Sequence, residues 1–404
     1  MRVSLPPALY ALASGAFAIG ATEFMPAAML PEIAGNLDVS LSRAGLLISG
    51  YAFGVTIMTP VLTSVLARFP RRGLLIGLMA LVAVANALAA LAPGYGFLLV
   101  VRFLTSFSHG TYLATATTAA AGLAPKGRSA QAISVVFAGL TIAMATVVPL
   151  AAWISATLGW RVAFTGVAVL SVGAVGAIAL SVPDFPMGAQ RASGRDIGRA
   201  LREPRLQFAF GMTIVGFAGT FVAFTYLTPY LKQVVGMSAG GSALLLASLG
   251  IAVSVGNLLG GRFVEGRIYP GLATLFGLLA LSLFSIGLTA GSPILTGIAV
   301  VLFGMVMLST GAGLQSLAIR EASLLGSGVA DVASGLSQSA FNLGIVLGSF
   351  VGGRVVDSTL GLRGAPVVGG GIAALAVVLT LVAWSFERRN PHPAETHPVE
   401  PIAA

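Results

Sequence analysis

The sequence predicts an all-α membrane protein: twelve transmembrane helices in two six-helix bundles. Three observations predict it. Of 404 residues, 56% are hydrophobic and only 9% are charged, with a mean hydropathy of +0.96. A soluble chain carries about 25% charged residues, so this one cannot clothe a water-facing surface. Long apolar runs broken by Pro, Gly or charge recur along the whole chain, without the ten-residue alternation of a lipid-facing barrel. The two halves also repeat one another at an offset of about 200 residues.

The apolar runs place spans near 8–30, 44–66, 73–92, 96–120, 130–154, 161–182, 206–230, 242–264, 270–290, 294–317, 332–356 and 365–386. Their Gly and Ala content lets neighbouring helices approach closely. The first run follows Arg2 without a small-residue cleavage site, so it reads as a span and not a removed signal peptide. With the N-terminus in the cytoplasm, the basic residues fall inside: Arg2, Arg68, Arg71, Arg72, Lys126, Arg128, the five Arg of 191–205, and further Arg to Arg389. Only Arg43, Arg161, Lys232, Arg354 and Arg363 fall outside. That asymmetry sets the direction and supports an even number of spans, with both termini cytoplasmic. The net charge of +9 is explained by those loops rather than by nucleic acid.

The polar segment 183–205 divides the chain into 1–182 and 206–386, six spans each, and reads as a cytoplasmic linker. Leu158-Gly159-Trp160-Arg161 recurs as Leu360-Gly361-Leu362-Arg363, and Phe137 in span 5 matches Phe341 in span 11. The basic turn of Arg68 to Arg72 matches Gly260 to Arg267 after span 8. Such a repeat marks a two-bundle transporter. The Pro-rich segment 387–404 reads as a disordered cytoplasmic tail.

No cysteine is present, which excludes disulfides, thiolate metal sites and thiol catalysis. Neither His392 nor His397 has further ligands nearby in sequence, so no metal and no cofactor are expected. His-Glu-x-x-His and a phosphate loop with Gly-Lys-Ser/Thr are absent, and no enzyme is expected. A channel is disfavoured by the twofold repeat and by a single buried acid in place of a ring.

Charges inside spans are the informative residues, since each costs ~2.5–3.5 kcal/mol or more at mid-membrane. Glu23 in span 1 and Arg102 in span 4 lie at similar depth, and a shared ion pair between them is the expectation. A carboxyl group that is protonated in one state and engaged by cargo in another would make the two loads exclude each other. His109 is the histidine inside a span, about two turns from Arg102, and fits a proton relay or a structural hydrogen bond. Tyr112, Thr225, Tyr226 and Gln315 are candidate cavity residues. Asn257, Gln338 and Asn342 are candidate helix ties, and Pro149 is a packing feature of span 5. Phe217, Phe221 and Phe224 recur at helical spacing, which fits packing or an aromatic binding face. Arg68, Arg71 and Arg72 with Glu265 are candidates for a cytoplasmic gate between the halves, or for topology-setting charge alone.

Gly20-Ala21-Thr22-Glu23-Phe24-Met25-Pro26, followed by Leu30-Pro31-Glu32-Ile33-Ala34, resembles the drug/proton antiporter branch of the major facilitator superfamily. That branch holds bacterial chloramphenicol-type exporters and arabinose or sugar efflux proteins. Arg102, His109-Gly110, Gly256-Asn257 with Gly260-Gly261, and Ala340-Phe341-Asn342-Leu343-Gly344 extend the likeness over both halves. Ala67, Pro70, Val147 and Ala151 depart from the pattern. The resemblance implies the superfamily's inverted repeats and spans 1 and 4 beside a central cavity. It also implies a monomer in the bacterial inner membrane that exports a small organic molecule in exchange for protons, as in antibiotic resistance. Sugar or metabolite efflux and uncoupled facilitation are the alternatives.

Overall fold

A computed structural model describes residues 6–66, 69–124, 129–184 and 194–390. Span 1 is Pro7–Ala28 continued by Leu30–Asn36; spans 2 and 3 are Leu41–Leu66 and Arg71–Ala90. Span 4 is broken into Tyr95–Thr105, a 3-10 turn Ser106–Ser108, and His109–Leu123. Spans 5 and 6 are Ser129–Thr157 and Trp160–Ser181. Span 7 is Pro204–Phe224 with short turns Leu227–Pro229 and Tyr230–Val234. Spans 8 and 9 are Ala239–Val264 and Ile268–Leu288. Span 10 is Pro293–Met307 with Gly311–Ser323; spans 11 and 12 are Ser327–Val356 and Gly361–Arg389. Eleven of these crossings are long and apolar enough to span a membrane by themselves. The fourth becomes a crossing only when its two pieces are joined, which makes twelve.

Two side-chain bonds accompany the break in span 4. The Ser106 hydroxyl donates to the Phe103 carbonyl at 2.6 Å and that of Thr105 to Val101 at 2.6 Å. Such back-bonding competes with the helix ladder and tightens the turn.

Packing repeats between the halves. Span 1 lies along spans 5 and 6, and span 7 along spans 11 and 12; span 3 pairs with span 6, and span 9 with span 12. The halves meet where span 2 packs on span 11 and span 5 on span 8. The recurring Leu-Gly motif sits at equivalent turns before spans 6 and 12. Gly159 (φ 93°) and Gly361 (φ 58°) take left-handed conformations there, which a side chain resists. The outer surface is apolar, with Leu180 89% and Leu288 85% exposed, as lipid contact requires.

Two sequence expectations shift. Span 12 continues past the expected end at 386 to Arg389, because Glu387 is held by Arg205 and Arg320 at 3.5 and 3.7 Å. The expected linker contains a helix, Gly194–Arg202, whose Ala200 is fully buried and which packs on spans 7 and 11. The rest of that linker from 185 to 193, Arg68, and the tail from 391 with His392 and His397 lie outside the described residues.

Gly256 shows why small residues were needed on span 8. A Cβ there would meet the Met305 carbonyl oxygen of span 10 at 1.8 Å, whereas one at Gly277 would meet nothing within 4 Å. We expect Gly256→Val to destabilise the protein by about 1–3 kcal/mol, the usual cost of overpacking. Gly277→Ala should leave the unfolding temperature unchanged or slightly raised. Thermal unfolding of the purified protein in detergent measures both.

Candidate functional site

A cavity of ≈ 520 Å³ lies between the halves. Spans 1, 4 and 5 line one wall, and spans 7, 8, 10 and 11 the other. Its lining falls in the first half of spans 5 and 11 and the second half of spans 8 and 10, with Ser134 and Gln315 exposed. Those portions all lie toward the ends of the helices nearest the chain termini. The cavity therefore runs from mid-molecule toward the terminal face. The volume is that of an ordinary small-molecule site.

The opposite face is closed. Glu32, after span 1, and Lys232, at the end of span 7, join in an ion pair between the halves. Asn36 accepts from the Trp160 indole at 3.1 Å and from Arg161 at 2.5 Å. Beneath them Phe24 meets Phe224 edge-on at 6.4 Å, and Phe221 and Phe341 extend the aromatic layer. Two of these contacts, Phe24 with Phe224 and Glu32 with Lys232, join residues 200 positions apart. The corresponding spans 1 and 7 thus touch each other across the seam between the halves.

Glu23 lies at the inner end of the cavity. It is 7% exposed and is the one acid among the described lining residues, with no Lys or Arg in the lining. Its position follows from span 1's own sequence. Pro26 sits inside the helix and has no amide hydrogen, so the Thr22 carbonyl four residues earlier loses its helical partner. Arg102 supplies the replacement: its guanidinium donates to the Thr22 oxygen at 2.5 Å. Asn86 of span 3 donates to the Thr22 hydroxyl at 3.1 Å. Spans 3 and 4 therefore grip span 1 one residue before the acid.

The expected ion pair between Glu23 and Arg102 is not formed. Arg102 instead lies over the Tyr51 ring, 4.3 Å from its centroid. Glu23 turns toward His109, with Oε2 4.0 Å from Nε2, and its Oε1 has no hydrogen-bond partner. The Tyr51 hydroxyl is 3.1 Å from Nδ1 of the same imidazole. The site is thus a chain from Arg102 through Tyr51 and His109 to Glu23, all at least 93% buried. Across the 3-10 turn of span 4, Arg102 meets the face of the Tyr51 ring and His109 its hydroxyl.

Other expected residues divide clearly. Gln315 lines the cavity and donates to Ser334 at 3.3 Å. Asn257 and Gln338 also line it, rather than serving only as ties. Asn342 is fully buried and donates to the Gln338 carbonyl at 3.0 Å. Phe217 lines the cavity and packs on Phe341 at 4.2 Å, so it both packs and faces the space. Tyr112 does not line it: the hydroxyl donates to the Leu12 carbonyl at 3.0 Å within the first bundle. Thr225 and Tyr226 do not either; they bind Ser349 of span 11 at 2.8 and 3.2 Å, near the closed face. Pro149 is buried inside span 5.

The cross-half gate of Arg72 with Glu265 is absent from this conformation. Arg72 donates to the Ala179 carbonyl at 2.5 Å and lies 3.9 Å from Asp184, both in its own half. Arg71 and the exposed Glu265 make no ion pair among the described residues. In the second half the matching place holds Arg205 and Arg320 with Glu321 and Glu387. Sequence reasoning missed Tyr51, Asn86 and the Glu32–Lys232 pair. Pro26, four residues after Thr22, was the available signal for the carbonyl that Arg102 binds.

The family model of the Major Facilitator Superfamily matches residues 12–339. The chain belongs to the major facilitator superfamily. The inner membrane transport protein YdhP of Escherichia coli (strain K12) is 35% identical over 387 residues, 95% of this chain and 97% of the relative. The chloramphenicol resistance protein of Streptomyces lividans is 29% identical over 385 residues, 95% of this chain and 96% of the relative. A crystal structure of the nucleoside transporter NupG aligns with a TM-score of 0.73 and 14% identity, covering 93% of this chain and 98% of that one. That likeness concerns the fold. The superfamily member described here is a multi-pass membrane transporter, and its fold and family are those of transporters rather than enzymes.

The bond from Arg102 to Thr22 yields a cycle of variants. Arg102→Met leaves the Thr22 carbonyl unpaired, at a cost of about 1–3 kcal/mol. Pro26→Ala restores its helical donor. The double variant should therefore unfold at a higher temperature than Arg102→Met alone, a nonadditivity read by thermal unfolding of all four proteins.

Proposed function

We propose that this transporter exports a small, largely apolar organic molecule, of the phenicol type, across the bacterial inner membrane in exchange for protons. One observation carries the reading: a single acid, Glu23, held at the inner end of an otherwise uncharged cavity beside His109. An acid removed from water needs either a proton or a partner. A bound proton and a cargo molecule with a donor group therefore compete for Glu23, and that competition is the coupling. Phe24, Phe137, Phe217 and Phe341 offer aromatic surface, and Asn257, Gln315 and Gln338 offer amides. The chloramphenicol relative supports the drug-like cargo. The amides on the second-half wall keep sugar or metabolite efflux as the competing cargo.

In this reading the termini lie in the cytoplasm, consistent with the basic loops, and the cavity is open to that side. The halves, joined through 183–205, rock about Glu23 to expose it alternately. The Arg72 and Glu265 positions come together at the terminal face when the other side opens, the step at which their gate role applies.

Transport by inverted vesicles under an imposed pH gradient tests this, with chloramphenicol and arabinose as probes. Parent protein should accumulate the phenicol against its gradient. Glu23→Gln should abolish the accumulation while downhill movement continues. Gradient-driven accumulation that survives Glu23→Gln removes the acid from coupling, and no gradient dependence for either probe makes the protein a facilitator.

Opening the closed face requires the Glu32–Lys232 pair to separate. Glu32→Lys sets two cations together, and a partly buried pair is worth about 1 kcal/mol or more, roughly fivefold in population. Cysteines placed at Ser42 and Gly353, in a chain with none of its own, should crosslink several-fold less in Glu32→Lys and in Lys232→Glu. The exchanged double variant should restore the parent's crosslinking.

A further inference from the structure

Tyr51 belongs to the same buried chain as Glu23, and the proton reading above does not use it. It stands on span 2, is 2% exposed, and is fixed at both ends. The Arg102 guanidinium covers its ring at 4.3 Å, and its hydroxyl meets His109 Nδ1 at 3.1 Å. Arg102 is itself tied to the Thr22 carbonyl of span 1, so the tyrosine cannot drift from the imidazole.

A neutral imidazole has one N–H and one bare nitrogen, and the partner of one nitrogen decides the state of the other. When the Tyr51 hydroxyl donates to Nδ1, the hydrogen sits on Nε2 and points toward Glu23, which suits a carboxylate. When Nδ1 carries the hydrogen, Nε2 is bare and suits a protonated Glu23, whose O–H can donate to it. Loading Glu23 with a proton therefore goes with an exchange of imidazole tautomer. The two arrangements are not equal for Tyr51. Its hydroxyl has no other hydrogen-bond partner among the described residues, so only the first arrangement satisfies its O–H.

We propose that Tyr51 is a positioning residue of the transport site: by donating to His109 it holds the imidazole N–H toward Glu23 and favours loss of the proton from Glu23, which frees the acid for the next cargo molecule. This rests on Glu23 being the proton carrier. The ionisable groups at the site are Glu23 from span 1, Tyr51 from span 2, and Arg102 and His109 from span 4. Tyr112, a turn further on, is engaged with Leu12. Spans 5, 7, 8, 10 and 11 add no charged group to the cavity lining.

Infrared difference spectra of the purified full chain, titrated with pH, read this without a cargo. The protonated-acid C=O band of Glu23 is identified by its loss in Glu23→Gln. In Tyr51→Phe, which keeps the ring under Arg102, the band should persist to a pH about one unit higher, tenfold in proton affinity. Replacing Tyr51 by 3-fluorotyrosine, a stronger donor of the same shape, should move it the opposite way. Both shifts should vanish in a His109→Ala background. A parent spectrum with no band lost in Glu23→Gln overturns the proton reading itself. A band that Glu23→Gln removes, but whose titration is the same in the parent, Tyr51→Phe and the fluorotyrosine protein, overturns the role of Tyr51 alone. Shifts that persist without His109 also overturn it.

Discussion

Pro26 removes one amide hydrogen from span 1, and the organisation of the site depends on what replaces it. The carbonyl of Thr22 is left inside the protein, where an unpaired polar group costs about 1–3 kcal/mol. Arg102 satisfies it, and Asn86 holds the Thr22 hydroxyl beside it. The buried guanidinium gains a partner by the same bond and rests its face on Tyr51. One missing hydrogen thereby fixes spans 1, 2, 3 and 4 relative to one another at the depth of Glu23. The acid is left beside a histidine rather than locked to the arginine, so its negative charge is not permanently committed.

The same device recurs between the halves. Pro60 inside span 2 leaves the Thr56 carbonyl without its helical donor, and Ser339 of span 11 donates to it at 3.2 Å. Around this seam the closed face is built from spans 1 and 7, Phe24 with Phe224 and Glu32 with Lys232. Repetition places these two corresponding spans opposite each other. Aromatic rings tolerate that arrangement by meeting edge to face. The ionic groups tolerate it because Glu32 and Lys232 differ in sign. The cavity is left open on one side alone, the geometry of one stage of alternating access.

Glu23, Arg102 and His109 were legible because charge or imidazole inside an apolar run is costly enough to be noticed. Gln315 followed from its polarity. Tyr112, Thr225 and Tyr226 looked equally suitable in sequence, yet their hydroxyls are engaged with Leu12 and Ser349 inside helix contacts. A hydroxyl in lipid must find some acceptor, and sequence does not reveal whether that acceptor is cargo or a neighbouring helix. Tyr51 escaped notice for the converse reason. It is one tyrosine in an apolar helix, and its importance arises from residues 51 and 58 positions away.

The count of crossings, the twofold repeat and the identity of the cavity acid came from the order of residues. Gly159 and Gly361 belong to that class as well, because a left-handed turn is a local demand. The partners of Glu23 and Arg102, the walls of the cavity and the sealed face belong to the tertiary structure. They depend on how helices distant in the chain are rotated and set against each other. A rotation of one residue, about 100° around a helix axis, exchanges a cavity residue for a packing residue without altering hydropathy at all.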